Sequence, residues 1–333
     1  MNRRSMLFAS IAALAGSLTH KSGAARQPAG PPVIGLLVNG AAANNPAVGA
    51  VRAGLAELGY AEGRNLILEG RYAEGKLDRL PALAAELVAL DADVIAAFGG
   101  PASSAAVRAT KTIPIVFAIV ADPVAVGFAT TLERPGGNAT GITSNDPDQA
   151  RRQLELLRDV MPKLARVTLL SDQDIPGADA SGLAPIERTY VAAAKAQGME
   201  PQVLKLRGPA PDLDAAFKAM ADEKSEALLV LEVPVTLAHR KRIAQLAAAQ
   251  NLPAAFSAGS ADAGGLMSYG TNVADTWRSV PGFVDRILKG AKPADMAVEV
   301  ITRREFVVDL KVARQLGLTV PQAMLARADR VID

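Results

Sequence analysis

The sequence contains no cysteine, only two histidines and few aromatic residues, which make up 4% of the 333-residue chain. Without cysteine there can be no disulfide bond, no thiol catalysis and no lipid-anchored cysteine behind an export signal. The two histidines, His20 and His239, are too few for a multi-histidine metal site. Scarce aromatic residues argue against a broad surface that stacks nucleic-acid bases. We therefore predict no cofactor, no metal and no nucleic-acid partner.

Motifs typical of enzymes are also missing. The chain has no Gly-x-Ser-x-Gly elbow and no P-loop, and Gly99-Gly100 does not fit a dinucleotide fingerprint. Racemases built from two mirrored lobes commonly use paired cysteines, which this chain does not contain. Acidic residues are present, so an exported α/β enzyme stays open as an alternative, but we predict that the protein is not an enzyme.

The first 25 residues have the pattern of a signal peptide. Arg3 and Arg4 precede an apolar run at residues 6–18, and residues 23–25 offer small side chains for cleavage. The two arginines also loosely match a twin-arginine signal. The run is shorter than a membrane span, although an uncleaved anchor is an alternative. We expect a periplasmic protein whose mature chain is nearly neutral, because residues 1–25 carry three basic and no acidic side chains.

Two stretches of the chain repeat the same strand–helix pattern. They begin at Gly59 and Gly198, and Pro114 and Pro253, each inside an apolar run, keep the same spacing of 139 positions. Half of the residues are hydrophobic, which is enough for two domains with cores. Alternating strands and helices favour parallel sheets covered on both faces. We predict an α/β fold of two doubly wound parallel-sheet lobes joined by a hinge, with a cleft between them.

The predicted boundaries follow from these patterns. After the signal peptide, we assign residues 31–142 plus about 271–300 to the first lobe. We assign residues 143–265 plus about 301–333 to the second lobe. The hinge is expected at residues 140–144 and 264–270. A final stretch beyond Pro321 is expected to be helical as far as Ile332.

The carboxyl ends of the predicted strands point to the ligand site. In doubly wound sheets, ligands bind beyond these ends, where helices begin and present free backbone N–H groups. Twelve residues follow the predicted strands and crossings and are candidates for ligand binding: Asn39, Asn44, Gly99, Ser103, Ser104, Asp122, Ser144, Ser171, Glu232, Ser257, Tyr269 and Asn272.

These residue types suit a small zwitterion such as an amino acid. Ser103 and Ser104, at a predicted helix start, would hold a carboxylate together with nearby N–H groups. Asp122 or Glu232 would take the ammonium in a charge-assisted hydrogen bond, and Tyr269 would supply an apolar ring with a polar tip.

Each assignment has a simpler structural alternative. The two serines and Asp122 are common helix-capping residues, and Tyr269 could pack at the hinge. Glu232 is costly at the end of an apolar run unless it is solvated or paired, so a surface position is its alternative. Outside this set, we interpret Trp277 as a core residue. We interpret His239, beside a run of basic residues, as part of a solvated helix face or a permease contact.

Eight segments, in one order along nearly the whole mature chain, resemble the exported solute-binding proteins of ABC transporters of the tryptophan/tyrosine type. The segments are GLAELGYAEG (54–63), RLPALA (79–84), TIPIVF (112–117), DPV (122–124), RPGGNATG (134–141), GGLMSYG (264–270), RILKGAKPAD (286–295) and LARAD (325–329).

The resemblance implies a fold like that of type I periplasmic binding proteins. It also implies a periplasmic component of an ABC importer that captures a small-molecule solute and docks on the permease membrane subunits. We expect a monomer, since both lobes must be presented. Residues 171–176 and 257–262 depart from the family pattern where ligand would bind, so the resemblance does not identify the ligand. A ligand sensor that docks on a membrane receptor is an alternative.

Overall fold

The computed structural model describes residues 30–42, 45–120, 122–143, 148–271 and 273–333, apart from the side chain of Val273. The predicted signal peptide and three candidate residues, Asn44, Ser144 and Asn272, lie outside the described part. Within the described part, no helix combines the length and the apolar character needed to cross a membrane.

The chain folds into two α/β lobes. The first lobe opens with β1 (Val33–Val38), α1 (Pro46–Glu57), β2 (Ile67–Tyr72), α2 (Leu80–Ala89), β3 (Val94–Phe98), α3 (Gly100–Ala109), β4 (Ile115–Val120) and β5 (Ala139–Thr143). The second lobe continues with α4 (Gln149–Val160), β6 (Arg166–Asp172), α5 (Pro185–Ala196), β7 (Glu200–Leu206), α6 (Leu213–Asp222), β8 (Ala227–Val230), α7 (Pro234–Ala249), β9 (Ala254–Phe256) and β10 (Met267–Thr271). The last elements are α8 (Val273–Leu288), β11 (Glu299–Val300), β12 (Arg304–Asp309), α9 (Leu310–Gln315), α10 (Gln322–Leu325) and β13 (Arg330–Ile332).

The two sheets have the same internal strand order. The first runs β11-β5-β4-β3-β1-β2, and the second runs β13-β12-β10-β9-β8-β6-β7. Strands β5-β4-β3-β1-β2 therefore correspond to β10-β9-β8-β6-β7, which is the repeat that the sequence predicts. Every pairing is parallel except that of β10 with β12. The predicted fold class, two doubly wound parallel-sheet lobes, is confirmed.

Local sequence explains the central strands and the helix starts. β3 and β8 consist wholly of buried apolar residues, as expected for parallel strands covered by helices on both faces. α1 begins where the Asn45 side chain accepts hydrogen bonds from two backbone N–H groups and Pro46 takes the first helical position. α7 likewise begins at Pro234.

The chain passes between the lobes three times. It leaves the first sheet after β5, returns after β10, and leaves again between β11 and β12. Residues 264–270, where the sequence predicts hinge, lead into and form most of β10 in the second sheet, so this crossing follows Thr271. After it, α8 packs on α1, and a Cβ at Gly54 would lie only 2.6 Å from Pro281 Cγ.

The C-terminal stretch differs from the prediction. The sequence predicts helix to Ile332, but the structure has one short helix, α10, followed by the strand β13. β13 pairs in parallel with β12 over Arg330–Ile332. Hydrogen bonding to the edge of the second sheet therefore outweighs the local helical pattern at the end of the chain.

Candidate functional site

The carboxyl ends of the two sheets face each other. β5 ends where the chain leaves the first lobe for the second, and β10 ends where it returns. Apart from β12 and β13, the strands of each sheet run parallel to β5 or to β10 and therefore end at the same edge of their sheet. The polar residues that follow these strands therefore lie around one cleft between the lobes, as the topology rule predicts.

The mouth of this cleft is closed by contacts between the lobes. A Cβ at Gly75, beyond β2, would lie 2.8 Å from Pro209 Cβ, beyond β7. A Cβ at Gly100 would lie 3.9 Å from Pro176 Cγ, and one at Gly177 would lie 3.7 Å from Val126 Cγ1. Loops from the two lobes thus touch where they border the cleft.

His239 supports one of these loops. Its Nε2 lies 2.9 Å from the backbone oxygen of Pro209, across 30 positions of the chain. The sequence suggests only a solvated helix face or a permease contact for this histidine. In the structure, His239 holds the second-lobe loop that meets Gly75 at the mouth of the cleft.

Three predicted residues form an acceptor pocket in the second lobe. Ser171 lies at the end of β6, Glu232 follows β8, and Ser257 follows β9, and these three strands are neighbours in the sheet. Ser171 Oγ, Glu232 Oε1 and Ser257 Oγ are each buried and make no well-formed hydrogen bond with any described residue, although Ser257 lies close enough to Glu232 for its hydroxyl to affect the pKa of the carboxyl group. We call these residues the acceptor pocket.

The electrostatics of this pocket depend on Glu232. The residue as a whole is half-buried, but its Oε1 is shielded from solvent and carries no hydrogen bond. Burial raises the pKa of Glu232 to about 8, while the nearby Ser257 hydroxyl acts in the opposite direction. A carboxyl group that is buried without a cation is costly when ionised, so this site would be stabilised by a positively charged group.

Asp172, beside the acceptor pocket, is a buried acid that the sequence analysis missed. Its Oδ1 accepts a hydrogen bond of 2.9 Å from the Asp174 N–H, and its Oδ2 accepts one of 3.3 Å from the Val235 N–H. Burial raises the pKa of Asp172, and these two bonds oppose the shift. Asp172 thus fastens the end of β6 to the start of α7, and both its oxygens are already in use. The sequence did contain a signal for this residue, because an acidic side chain at the end of a buried apolar strand is unusual.

In the first lobe, Asn39 and Gly99 lie against each other. A Cβ at Gly99 would lie 2.7 Å from Asn39 Nδ2, and Gly99 has a φ of 89°, which favours glycine. Asn39 Oδ1 is buried without a hydrogen-bond partner. The two predicted residues, which follow β1 and β3, are therefore adjacent and leave one acceptor unused.

Ser103 does not have the role that the sequence predicts. Its hydroxyl donates to the Gly99 carbonyl at 2.8 Å and lies 3.3 Å from the Ala97 carbonyl. A hydroxyl has one proton, so Ser103 cannot also donate to a ligand carboxylate while this bond is made. It does not cap α3 either, since this helix has no side-chain cap. Ser104 is also buried.

Asp122 caps a turn, as its structural alternative predicts. Its Oδ1 accepts hydrogen bonds from the Val124 and Ala125 N–H groups, at 3.1 and 2.9 Å. The residue is half-buried at the start of the loop that carries Val126 to the cleft mouth. Glu232 is therefore the better candidate for an ammonium partner.

Tyr269 packs within the second lobe. Its ring meets that of Phe306 edge-on, with the centroids 6.2 Å apart. Its backbone oxygen accepts a hydrogen bond from Gln153 Nε2. These contacts fit the packing alternative and hold β10 against β12 and α4.

Two further polar atoms at the second crossing were missed by the sequence analysis. Thr271 Oγ1, at the end of β10, and Trp277 Nε1, in α8, are buried, and neither has a hydrogen-bond partner in the described part of the chain. The Trp277 ring packs on the core cluster of the first lobe that contains Val48, Val51 and Phe283, as the sequence predicts. Core packing does not explain why the ring nitrogen makes no hydrogen bond. The only sequence signal was the position of Trp277, soon after a predicted crossing.

A shallow depression elsewhere in the second lobe is not part of this site. It is lined mainly by small and apolar residues of α7, α9 and the segments that precede β9 and β10, among them Ala244, Leu252 and Leu316. These segments enter the amino ends of their strands, so the depression lies at the opposite end of the sheet from the cleft.

A protein-family model described as ABC transporter substrate binding protein matches residues 34–332. The chain belongs to this family. Members of the family bind substrates, so the protein is a substrate-binding protein and not an enzyme.

Solved structures agree with this assignment. A conserved domain protein from Vibrio cholerae is 28% identical, with a TM-score of 0.80 over 90% of this chain and 99% of that one. An ABC domain from Streptococcus pneumoniae in complex with L-Trp is 25% identical, with a TM-score of 0.80 over 91% of this chain and 100% of that one. The substrate-binding family and its two-lobe fold thus extend over nearly the whole described chain.

A curated relative matches a shorter part of the chain. The tyrosine-binding protein of Clostridioides difficile is 33% identical over 116 residues, which are 35% of this chain. The match spans about a third of the relative's own length.

Proposed function

We propose that this substrate-binding protein captures an amino acid, with aromatic amino acids as the leading candidates, and delivers it to the permease of an ABC importer. The observation that carries the proposal is the acceptor pocket, in which Glu232 Oε1 and the hydroxyl oxygens of Ser171 and Ser257 are buried without hydrogen-bond partners among the described residues. An ammonium group supplies the positive charge that this pocket lacks and hydrogen-bond donors for its three oxygens. The similar proteins named for L-Trp and tyrosine support an aromatic side chain.

The two lobes would hold opposite ends of the solute. The ammonium would bind Glu232, with Ser171 and Ser257 accepting further hydrogen bonds. Its carboxylate would lie toward the first lobe, near Asn39 and the start of α3, a helix that has no side-chain cap. Of the predicted carboxylate ligands, Ser104 remains a candidate, whereas Ser103 already donates to the backbone.

Closure would connect binding to transport. Bound solute touches both lobes and so favours the arrangement in which the mouth loops meet at Gly75 and Pro209. The closed pair of lobes would then dock as a unit on the permease subunits. Export to the periplasm would depend on the N-terminal signal, which is tested by fractionating cells and by mass spectrometry of the mature N-terminus.

Calorimetry with purified protein tests the solute class. The panel would contain L-tryptophan, L-tyrosine, L-phenylalanine, an aliphatic amino acid, benzoate and a sugar. We expect an aromatic amino acid to bind and Glu232→Gln to weaken its binding about 30-fold or more, because truncating a buried charge partner costs about 2 kcal/mol or more. Binding of benzoate or the sugar, with no amino acid bound, would contradict the proposal.

A further inference from the structure

The indole nitrogen of Trp277 is a buried hydrogen-bond donor that has no acceptor among the residues the structure describes. Indole N–H groups that leave water on folding usually find a partner, because an unmade hydrogen bond in the interior is costly. The ring is half-buried and packs on the core cluster of the first lobe. Packing therefore explains where the ring lies but leaves the nitrogen unsatisfied.

Trp277 lies at the cleft end of the first lobe. α8 begins at Val273, directly after the chain leaves β10, and Trp277 follows about 6 Å along the helix axis at the usual rise per residue. Thr271, the last residue of β10, has a hydroxyl that is also buried and unpaired. Two unpaired polar atoms thus flank the point where the chain crosses between the lobes.

The backbone that borders the core cluster around Trp277 is strained at this same end of the lobe. Ile119, near the end of β4, is half-buried and packs on the same cluster. Its φ is 60°, which a β-branched residue rarely adopts, and the β4–β5 register shifts between Ala118 and Val120. Strained residues of this kind are concentrated at ligand sites.

We propose that Trp277 is a specificity-determining residue that donates a hydrogen bond from its indole N–H to an acceptor oxygen of the bound solute. The proposal rests on the proposed function, since it needs a solute in the cleft. The acceptor pocket belongs to the second lobe and Trp277 to the first, so the buried Glu232 oxygen and the buried indole N–H lie on opposite lobes. An amino acid matches this arrangement with its carboxylate toward Trp277 and its ammonium toward Glu232.

A hydrogen bond from Trp277 would also hold the solute carboxylate in place of Ser103, which the sequence predicts for this role. That hydroxyl donates its proton to Gly99, and the buried atoms left unpaired in the acceptor pocket and on Asn39 are all oxygens. In the first lobe, Trp277 supplies an N–H donor, whereas the buried Asn39 atom without a partner is an acceptor. Its neutral N–H would favour an oxygen acceptor without adding a charge to the cleft.

The experiment uses the full mature protein and the probes L-tryptophan, L-tyrosine and L-phenylalanine. Calorimetry would compare the wild type with Trp277→Phe, which keeps an aromatic ring but lacks the N–H. We expect the Kd to rise about 10- to 100-fold, the range for losing one hydrogen bond to a charged group. Because Trp277 is the single tryptophan, its emission should also change when L-phenylalanine binds to the wild type.

Tyr60→Phe is the matched control. Tyr60 packs on the same core cluster, and its hydroxyl donates to Asp285, eight positions further along α8 and away from the cleft. Tyr60→Phe should lower the melting temperature of the protein but leave the Kd for the amino acid unchanged. If Trp277→Phe leaves the Kd unchanged, as the control does, and the emission of the wild type does not change when L-phenylalanine binds, Trp277 is only a core residue. If the wild type binds none of the three amino acids, the proposed solute class fails as well.

Discussion

Gly75 of the first lobe meets Pro209 of the second across the mouth of the cleft, so closely that a Cβ at Gly75 would lie 2.8 Å from Pro209 Cβ. Pro209 is in turn held by His239, whose Nε2 lies 2.9 Å from its carbonyl oxygen. Real Cβ atoms do not approach another atom this closely, so the closed arrangement of the lobes requires glycine at position 75.

Gly75→Ala should therefore weaken solute binding by opposing closure. The closed lobes would have to separate at this loop, and we expect the Kd to rise about tenfold, which corresponds to about 1.4 kcal/mol. Gly63→Ala is a matched control, because Gly63 has nearly the same positive φ, 78° against 77°, but no atom within 4 Å of an added Cβ. Both variants should lose similar stability on unfolding, and only Gly75→Ala should lose affinity. Equal affinities in calorimetry would show that the contact does not govern closure.

Glu232 should make both stability and binding depend on pH. Its pKa is about 8 in the folded protein against an ordinary 4.5, so between these values the folded state holds a proton that the unfolded state has lost. The free energy of unfolding of the ligand-free protein should fall as the pH rises through this window, by at most about 1.4 kcal/mol per pH unit. Denaturant titrations of the wild type and Glu232→Gln at a series of pH values measure this difference.

The affinity for an amino acid should change in the opposite direction. An ammonium group binds the ionised carboxylate, so the Kd should fall as the pH rises from about 6 to about 8, with protons released on binding. In Glu232→Gln the Kd should be higher and nearly independent of pH in this range. A wild-type Kd that is flat with pH, together with equal heats in buffers of different ionisation enthalpy, would rule out this role for Glu232.

Ser103 and Ser104 should respond differently to truncation. Ser103 already donates its proton within α3, so Ser103→Ala should leave the Kd unchanged and alter stability by about 1 kcal/mol or less. Ser104 is the candidate for holding the carboxylate, so Ser104→Ala should raise the Kd. Calorimetry of the two variants would compare their Kd values directly. A larger loss of affinity in Ser103→Ala than in Ser104→Ala would contradict the assignment made from the hydrogen bonds.

The buried ion pair between Glu187 and Lys205 in the second lobe should contribute strongly to the free energy of unfolding. Glu187 is fully buried, and its Oε2 lies 2.8 Å from Lys205 Nζ and accepts a hydrogen bond of 2.7 Å from the Ala184 N–H. Lys205→Met would leave an uncompensated carboxylate, and we expect a loss of about 3–5 kcal/mol in the free energy of unfolding. Adding Glu187→Gln should restore much of that loss, because it removes the buried charge. A double variant no more stable than the single one would show that the pair does not act through charge.

The fold could be predicted in most respects because its signals are local. Continuous apolar runs such as Val94–Phe98 mark strands that are covered on both faces, and glycine or proline marks the turns and helix starts. The final helical stretch was wrong, since β13 forms only by pairing with β12, and a short segment carries no sign of that partner. Likewise, β10 extends through residues predicted as hinge because β9 and β12 flank it.

The candidate site could be located but not interpreted from the sequence. Strand order places the ends of β6, β8 and β9 at one edge, so the sequence could assign Ser171, Glu232 and Ser257 to the cleft, while their part in binding stays a prediction. Which polar groups at this edge would keep free hydrogen-bonding capacity could not be foreseen, because hydrogen-bond partners come from distant parts of the chain. Asp172, for instance, is satisfied by the Val235 N–H, 63 positions away, whereas Glu232 is left unpaired.

The amino-acid sequence alone determined the paired lobes, the direction of their strands and the edge where polar residues collect, because periodicity, apolar runs and turn residues act over short distances along the chain. Tertiary structure decided which of those polar groups still have hydrogen-bonding capacity and that the loops at Gly75 and Pro209 touch. Those properties depend on groups brought together from separate lobes and strands, and burial then gives them their energetic weight.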